Sequence, residues 1–210
     1  MKNELIIGPF GPIIRPVSTG RPIEYDREHS LQKALELFWR NGYKGTNLKD
    51  LCDETGLSKS SLYSVFGDKH QIFLLSIQTY SDGLLDELLL EYGSSKSPLR
   101  FIEKVLLDLA EEASPGKDRK GCLVMNSATE FAQTDPQVAK IVGNTLRKMT
   151  SIFEDAVKSG QESSDINKNV EPHPTALFLV NSIAGMKTMV KAGHPKKELL
   201  EIAKSVMKHL

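Results

Sequence analysis

The chain has 210 residues, 40% of them hydrophobic, and its 27 Lys and Arg are balanced by 27 Asp and Glu. This content can bury a core for one or two domains, while zero net charge excludes the broad, sequence-blind attraction to nucleic acid that needs an excess of cations. Cys52 and Cys122 are too few and too isolated for a disulfide framework and fit a reducing, cytoplasmic compartment; no run approaches the ~18 apolar residues of a membrane span.

Residues 1–22 read as an irregular N-terminal arm, because Gly8, Pro9, Gly11 and Pro12 break its apolar stretch and make it a poor signal peptide. Arg15 and Arg21 could reach a minor groove from such an arm, although a tail without a role is the simpler expectation. A first domain is expected over residues 23–70. Leu31, Ala34, Leu35 and Phe38 recur at i, i+3, i+4 and i+7, Asn41-Gly42 closes that helix, and Tyr43 is placed to fold back on it. Thr46 is the expected N-cap of a second helix running to Thr55; Lys49 stands where a capping box would need Glu, so no box is expected. Gly56 ends the helix, Ser58 caps the next, and in that third helix Leu62 with either Val65 or Phe66 points inward. Lys59, Ser60, Ser61, Tyr63 and Ser64 are left outside. A short helix with small polar side chains, a cation and an aromatic hydroxyl on its outer face suits insertion into the major groove of DNA. From Arg21 to Gln71 cations and acids are equal in number, so any positive field must come from their arrangement.

The run ALELFWRNGYKGTNLKDLCDETGLSKSSLYSVFGDKHQIF, residues 34–73, resembles the N-terminal DNA-binding domain of the tetracycline-repressor family of bacterial regulators. Gly42-Tyr43, Thr46, Gly56, Lys59, Leu62-Tyr63, Phe66 and Asp68-Lys69 stand at the family's spacing without a gap. The resemblance implies that Thr46, Lys59, Tyr63 and Lys69 contact phosphates and that Ser60, Ser61 and Ser64 touch bases. Ser60, Ser64 and Val65 replace the Gly, second Tyr and His often found there, which implies an operator unlike those of relatives. It further implies a homodimer joined through its last two helices as a four-helix bundle, bound to a palindromic double-stranded operator. In that mechanism a ligand between the C-terminal helices hinges the long helix after Lys69 and releases the DNA.

Residues 71–210 read as a helical effector-binding and dimerisation domain, giving an all-α chain of about nine helices. A long helix starts near Asp68 and fades at Gly93-Ser94-Ser95; Pro98 opens a fifth that ends at Ser114-Pro115-Gly116. A sixth covers about 121–132, Asp135-Pro136 starts a seventh, and two more span about 172–191 and 195–210. Apolar side chains on more than one face of the last two fit either a subunit interface or an intrachain core. A pocket walled by the later helices could include Leu106, Met125, Asn126, Phe131, Phe178 and Met186, each also readable as plain core.

Cys122 stands at a helix start beside Lys117, Arg119 and Lys120, a setting that makes a thiolate more available. The resemblance adds that branches with Gly-Cys here respond to electrophiles or oxidants; a small buried hydrophobe is the alternative. His29, His70, His173, His194 and His209 show no metal-ligand spacing, and no phosphate loop or nucleophile motif is present, so neither cofactor, metal nor catalysis is expected. Two functions remain open at this point: a regulator, most simply a repressor, released by a small molecule or by thiol modification, and an all-helical ligand- or protein-binding module that does not bind DNA.

Overall fold

Among the described residues, 27–131 and 133–210 of this computed structural model, the chain forms nine helices and no strand. They are α1 (Arg27–Gly45), α2 (Leu48–Thr55), α3 (Lys59–Phe66), α4 (Lys69–Ser94), α5 (Pro98–Glu111), α6 (Leu123–Phe131), α7 (Pro136–Glu162), α8 (Pro172–Lys191) and α9 (Lys196–Met207). The arm expected over residues 1–22, with Arg15 and Arg21, lies outside the described residues.

Capping chemistry sets most of these boundaries. Ser58 accepts from the Ser61 N–H at 3.1 Å, Asp68 from Gln71 at 2.8 Å, and Asp135 from Gln137 and Val138 at 2.9 and 3.1 Å. Each satisfies donors that a helix start leaves free. Pro98, Pro136 and Pro172 occupy first turns, where the missing N–H is not needed. The expected Thr46 cap is corrected by one residue. Asn47 caps α2, accepting from the Asp50 N–H at 3.0 Å while the Asp50 carboxylate accepts from the Asn47 N–H at 2.8 Å. A capping box is therefore present, with Asn and Asp in its two positions.

Gly42 interrupts α1 with φ 73° and ψ 171°, a region effectively closed to residues with a Cβ. The break turns Tyr43 back onto Phe38, the rings stacked with centroids 6.1 Å apart. Phe38 also meets the edge of Phe73 at 5.1 Å, and Leu35, Leu51, Leu62 and Ile72 close this small core around it. Phe66, rather than Val65, takes the inward position beside Leu62, with the Arg27 guanidinium 5.4 Å over its ring.

Helix α4 has 26 residues and is about 39 Å long at 1.5 Å per residue. Its first turns bury Ile72 and Phe73 among α1–α3; further along, Tyr80, Leu84 and Leu88 are buried among the later helices. There α7 packs on α8 and α4, and α5 packs on α9. Phe101 of α5 stacks on Phe153 of α7 at 5.4 Å and forms the centre of this second core.

Candidate functional site

Helix α3 projects Lys59, Ser60, Tyr63 and Ser64 into solvent, with Ser61 half-buried beside them. The Ser58 hydroxyl lies 2.9 Å from those of both Ser60 and Ser61, so a chain of hydroxyls runs across the start of the helix. Tyr63 is 40% exposed, and the Lys59 ammonium lies 5.8 Å from its ring. At the start of α4, the Lys69 ammonium sits 4.0 Å over the Tyr43 ring. Partial burial lowers the Lys69 pKa, against the opposing pull of Glu130 and Asp50. Thr46 is placed differently from the expectation. Its side chain is 0% exposed and its hydroxyl donates to the Gly42 carbonyl at 2.8 Å, bracing the turn from inside.

This unit is fastened to the later helices at its base. His70 Nε2 lies 2.5 Å from Asp135 Oδ2, and that bond holds the Asp135 carboxyl below its ordinary pKa. Phe131, expected in a pocket, instead wedges its ring between Tyr43 at 5.3 Å and Phe73 at 5.6 Å. Beside it, Glu130 accepts from the Lys44 N–H at 3.3 Å.

A second feature lies within the later helices. A cavity of about 20 Å³ is lined by Leu84, Leu88, Val105, Cys122, Met125, Met149, Ile183, Ala184 and Lys187. Of the residues expected there, Cys122 and Met125 do line it. Leu106 and Met186 are core side chains outside the lining, one position away from Val105 and Lys187, which take their places. Asn126 belongs to a polar cleft beside Trp39 and donates to the Lys120 carbonyl at 3.2 Å, while Phe178 is 40% exposed and packs edge-on to His209 at 5.4 Å.

The cavity's one charged wall is a residue the pattern did not reveal. Lys187 is 5% exposed and donates to Glu112 Oε1 at 2.5 Å. Near this pair, Glu87 Oε2 is buried without a hydrogen-bond partner, and burial pushes the Glu87 pKa up to about 8 despite the pull of Lys187. Glu87 therefore folds in its neutral form. Its contribution is fully present below pH 4.5, the ordinary value, and is lost as pH rises through about 8. Glu87→Gln should remove that loss: urea melts should show a gain of ~2 kcal/mol at pH 8.5, discounted for partial exposure, and no gain at pH 4.5.

Cys122 is 5% exposed, and its carbonyl accepts the Asn126 N–H at 2.9 Å, at the start of α6. The cations expected beside its thiol are engaged elsewhere: Lys120 pairs with Glu36 at 2.6 Å and Asp118 at 3.3 Å, and Arg119 donates to the Ala113 carbonyl at 2.8 Å. The thiol's neighbour is instead the Tyr80 hydroxyl, which forms no well-aligned hydrogen bond; burial raises the Tyr80 pKa well above its usual value, and Cys122 raises it further.

Among the described residues no three His, Cys, Asp or Glu side chains are grouped to hold a metal ion, and no helix is long and apolar enough to cross a membrane. Residues 31–75 match the family described as bacterial regulatory proteins, tetR family, and residues 99–206 match the tetracyclin repressor-like C-terminal domain. The HTH-type transcriptional repressor ComR of Escherichia coli (strain K12) is 27% identical over 200 residues, covering 91% of each chain. The HTH-type transcriptional regulator YezE of Bacillus subtilis (strain 168) is 28% identical over 151 residues, 70% of this chain and 76% of its own. Two solved structures share the fold. A cysteine mutant of the TetR family regulator CifR, complexed with 26 bp double-strand operator DNA, superposes with a TM-score of 0.77 at 21% identity, over 90% of this chain and 98% of its own. Reduced Escherichia coli NemR superposes at 0.77 with 19% identity, over 86% and 94%. The two matched segments take in both the α1–α3 unit with its fastening to α4 and the helices around the cavity, and the chain belongs to the tetR family of bacterial regulatory proteins, DNA-binding transcriptional regulators and not enzymes.

Proposed function

We propose that the chain is a cytoplasmic, dimeric repressor that reads a palindromic operator through α3 and releases it when the Cys122 thiol is modified or when the later helices part to widen the cavity beside it, about one water in size as it stands, around a small molecule. Residues 23–70 act as the reading unit and residues 71–210 as the effector and dimer unit. The observation that carries the reading is the outward row Lys59, Ser60, Tyr63 and Ser64 on a helix of eight residues. Lys59, Tyr63 and Lys69 suit phosphates, and Ser60, Ser61 and Ser64 are short enough to let the backbone approach base edges. Thr46 serves that face by holding the Gly42 turn from within.

One such helix reads few bases, so affinity requires two copies. Helix α8 supplies a face for pairing: Leu177 is 50% and Phe178 40% exposed, and no atom crowds the Gly185 position. The repressor role agrees with the relative ComR, which is named a repressor.

Selection of bound duplexes from a random library tests the proposal. It should enrich a palindrome whose half-sites lie about 34–36 Å apart or a multiple of that; recovery of no preferred sequence would sink it. On the selected duplex, an electrophile that alkylates Cys122 should release the parent protein and leave Cys122→Ser bound. Equal release of both would remove the thiol from the mechanism and leave the cavity as a binding site alone.

A further inference from the structure

Three contacts hold one short segment against the reading unit. Lys120 Nζ pairs with Glu36 Oε2 of α1 at 2.6 Å and also lies 4.7 Å from the Trp39 ring centroid. The Gly121 carbonyl, one residue on, accepts the Trp39 indole N–H at 3.2 Å. The next residue is Cys122, on the cavity wall. On its far side Trp39 meets Tyr80 edge-to-face at 4.9 Å, the same Tyr80 whose hydroxyl lies beside the Cys122 thiol.

The indole of Trp39 is thus held between the 120–122 segment, which carries Cys122 to the cavity wall, and α4. The segment has little freedom to move alone. Gly121 takes φ 73°, and a Cβ there would come within 3.3 Å of the Lys191 side chain, so neighbouring α8 limits its path. Any rearrangement that moves Cys122 must carry the Gly121 carbonyl and the Lys120 ammonium with it, and these are joined to Glu36 and Trp39. Those two residues lie on the same helix as Phe38 and a few residues before the Gly42 turn that Thr46 braces.

We propose that Glu36 and Trp39 are the positioning residues through which the cavity and the reading unit sense each other, the coupling running through α1 by way of the 120–122 segment. The inference rests on the cavity being the effector site, but the coupling can be measured from the opposite end. Coupling between two sites is reciprocal, so operator binding must alter the state of the segment as much as the segment alters operator binding. A contact that merely stabilises the fold would change both operator-bound and free states alike.

The test uses the full chain carrying Cys52→Ser, so that Cys122 is its only thiol, and N-ethylmaleimide as the probe. The rate of Cys122 alkylation is measured by mass spectrometry with and without saturating selected operator, for this parent and for Trp39→Phe and Glu36→Gln. Trp39→Phe keeps an aromatic ring and loses the indole N–H; Glu36→Gln keeps the shape and loses the charge. Operator should change the alkylation rate of the parent at least fivefold, and each substitution should cut that ratio to less than half. A ratio near one in the parent, or one left intact in both variants, would overturn the proposal. The operator affinity of the alkylated parent is read separately: if it is unaltered, the thiol trigger fails while the ratio still judges the α1 contact.

Discussion

Lys187→Met should destabilise the protein by ~3 kcal/mol at pH 8.5, the largest single loss expected from a change away from the aromatic cores. Methionine fills most of the same volume, so the effect is electrostatic. Lys187 is 5% exposed, and its ammonium is bound to Glu112 at 2.5 Å and attracts Glu87. Removing it leaves two carboxyl groups facing each other in a partly dry setting, and neither can ionise without cost. Glu87 can escape by taking up a proton. The loss should therefore shrink as pH falls, while Lys187→Met combined with Glu112→Gln should recover most of it at pH 8.5. Urea melts at pH 5.5 and 8.5 decide the matter; a loss equal at both, with no recovery in the double variant, would show that packing and not charge is responsible.

Lys59→Ala with Lys69→Ala should weaken operator binding ~10³-fold at 0.15 M salt, because the proposed dimer would lose four proposed phosphate contacts worth roughly 1 kcal/mol each. The slope of log affinity against log salt should become shallower by about 3 to 4. Ser60→Ala should behave in the opposite way, changing which duplexes are preferred while leaving that slope alone. The distinction matters because Lys69 also covers Tyr43 at 4.0 Å, and its removal costs some packing. A loss of affinity without a change in slope would mean that the lysines support the fold and do not meet phosphate.

Several parts of this arrangement could be read from local chemistry. Ser58, Asp68 and Asp135 act where short polar side chains at helix starts must act, and Gly42 breaks α1 where the apolar spacing ends. The outward face of α3 was legible for the same reason: Leu62 and Phe66 fix its phase, so Ser60 and Ser64 have one direction left. The Thr46 cap failed because Thr46 and Asn47 are both competent caps, and only the fold reveals that the threonine hydroxyl is already held by Gly42. The cavity was harder for a different reason. Helices α4 and α8 carry apolar residues on most of their surface, so no polar stripe reports how either is rotated, and a difference of one residue turns a side chain by about 100°. Met186 for Lys187 on α8 is an error of that size; on α5 Val105 and Leu106 are both buried in one clear apolar stripe, and only the fold shows which of them meets the cavity. Lys187 went unremarked because pattern alone does not show that Glu112, at the end of α5, lies within reach of its ammonium.

Helix α4 has a consequence for modularity. No linker separates the reading unit from the rest: Phe73 belongs to the first core, Tyr80 to the junction with α1, and Leu84 and Leu88 to the cavity, all on one unbroken rod. The seam between the two halves runs along a helix, where no protease finds an exposed joint. A head piece cut after residue 70 would leave half its aromatic core behind, so the smallest portable reader must take the first turns of α4 with it. Grafting this head onto another sensor would then mean splicing in the middle of a rod, where one inserted residue rotates the head by about 100° and two by about 200°. In the proposed dimer, the angle at which the two readers address DNA is therefore written in the register of α4, and relatives that differ there by an insertion should require a different half-site spacing.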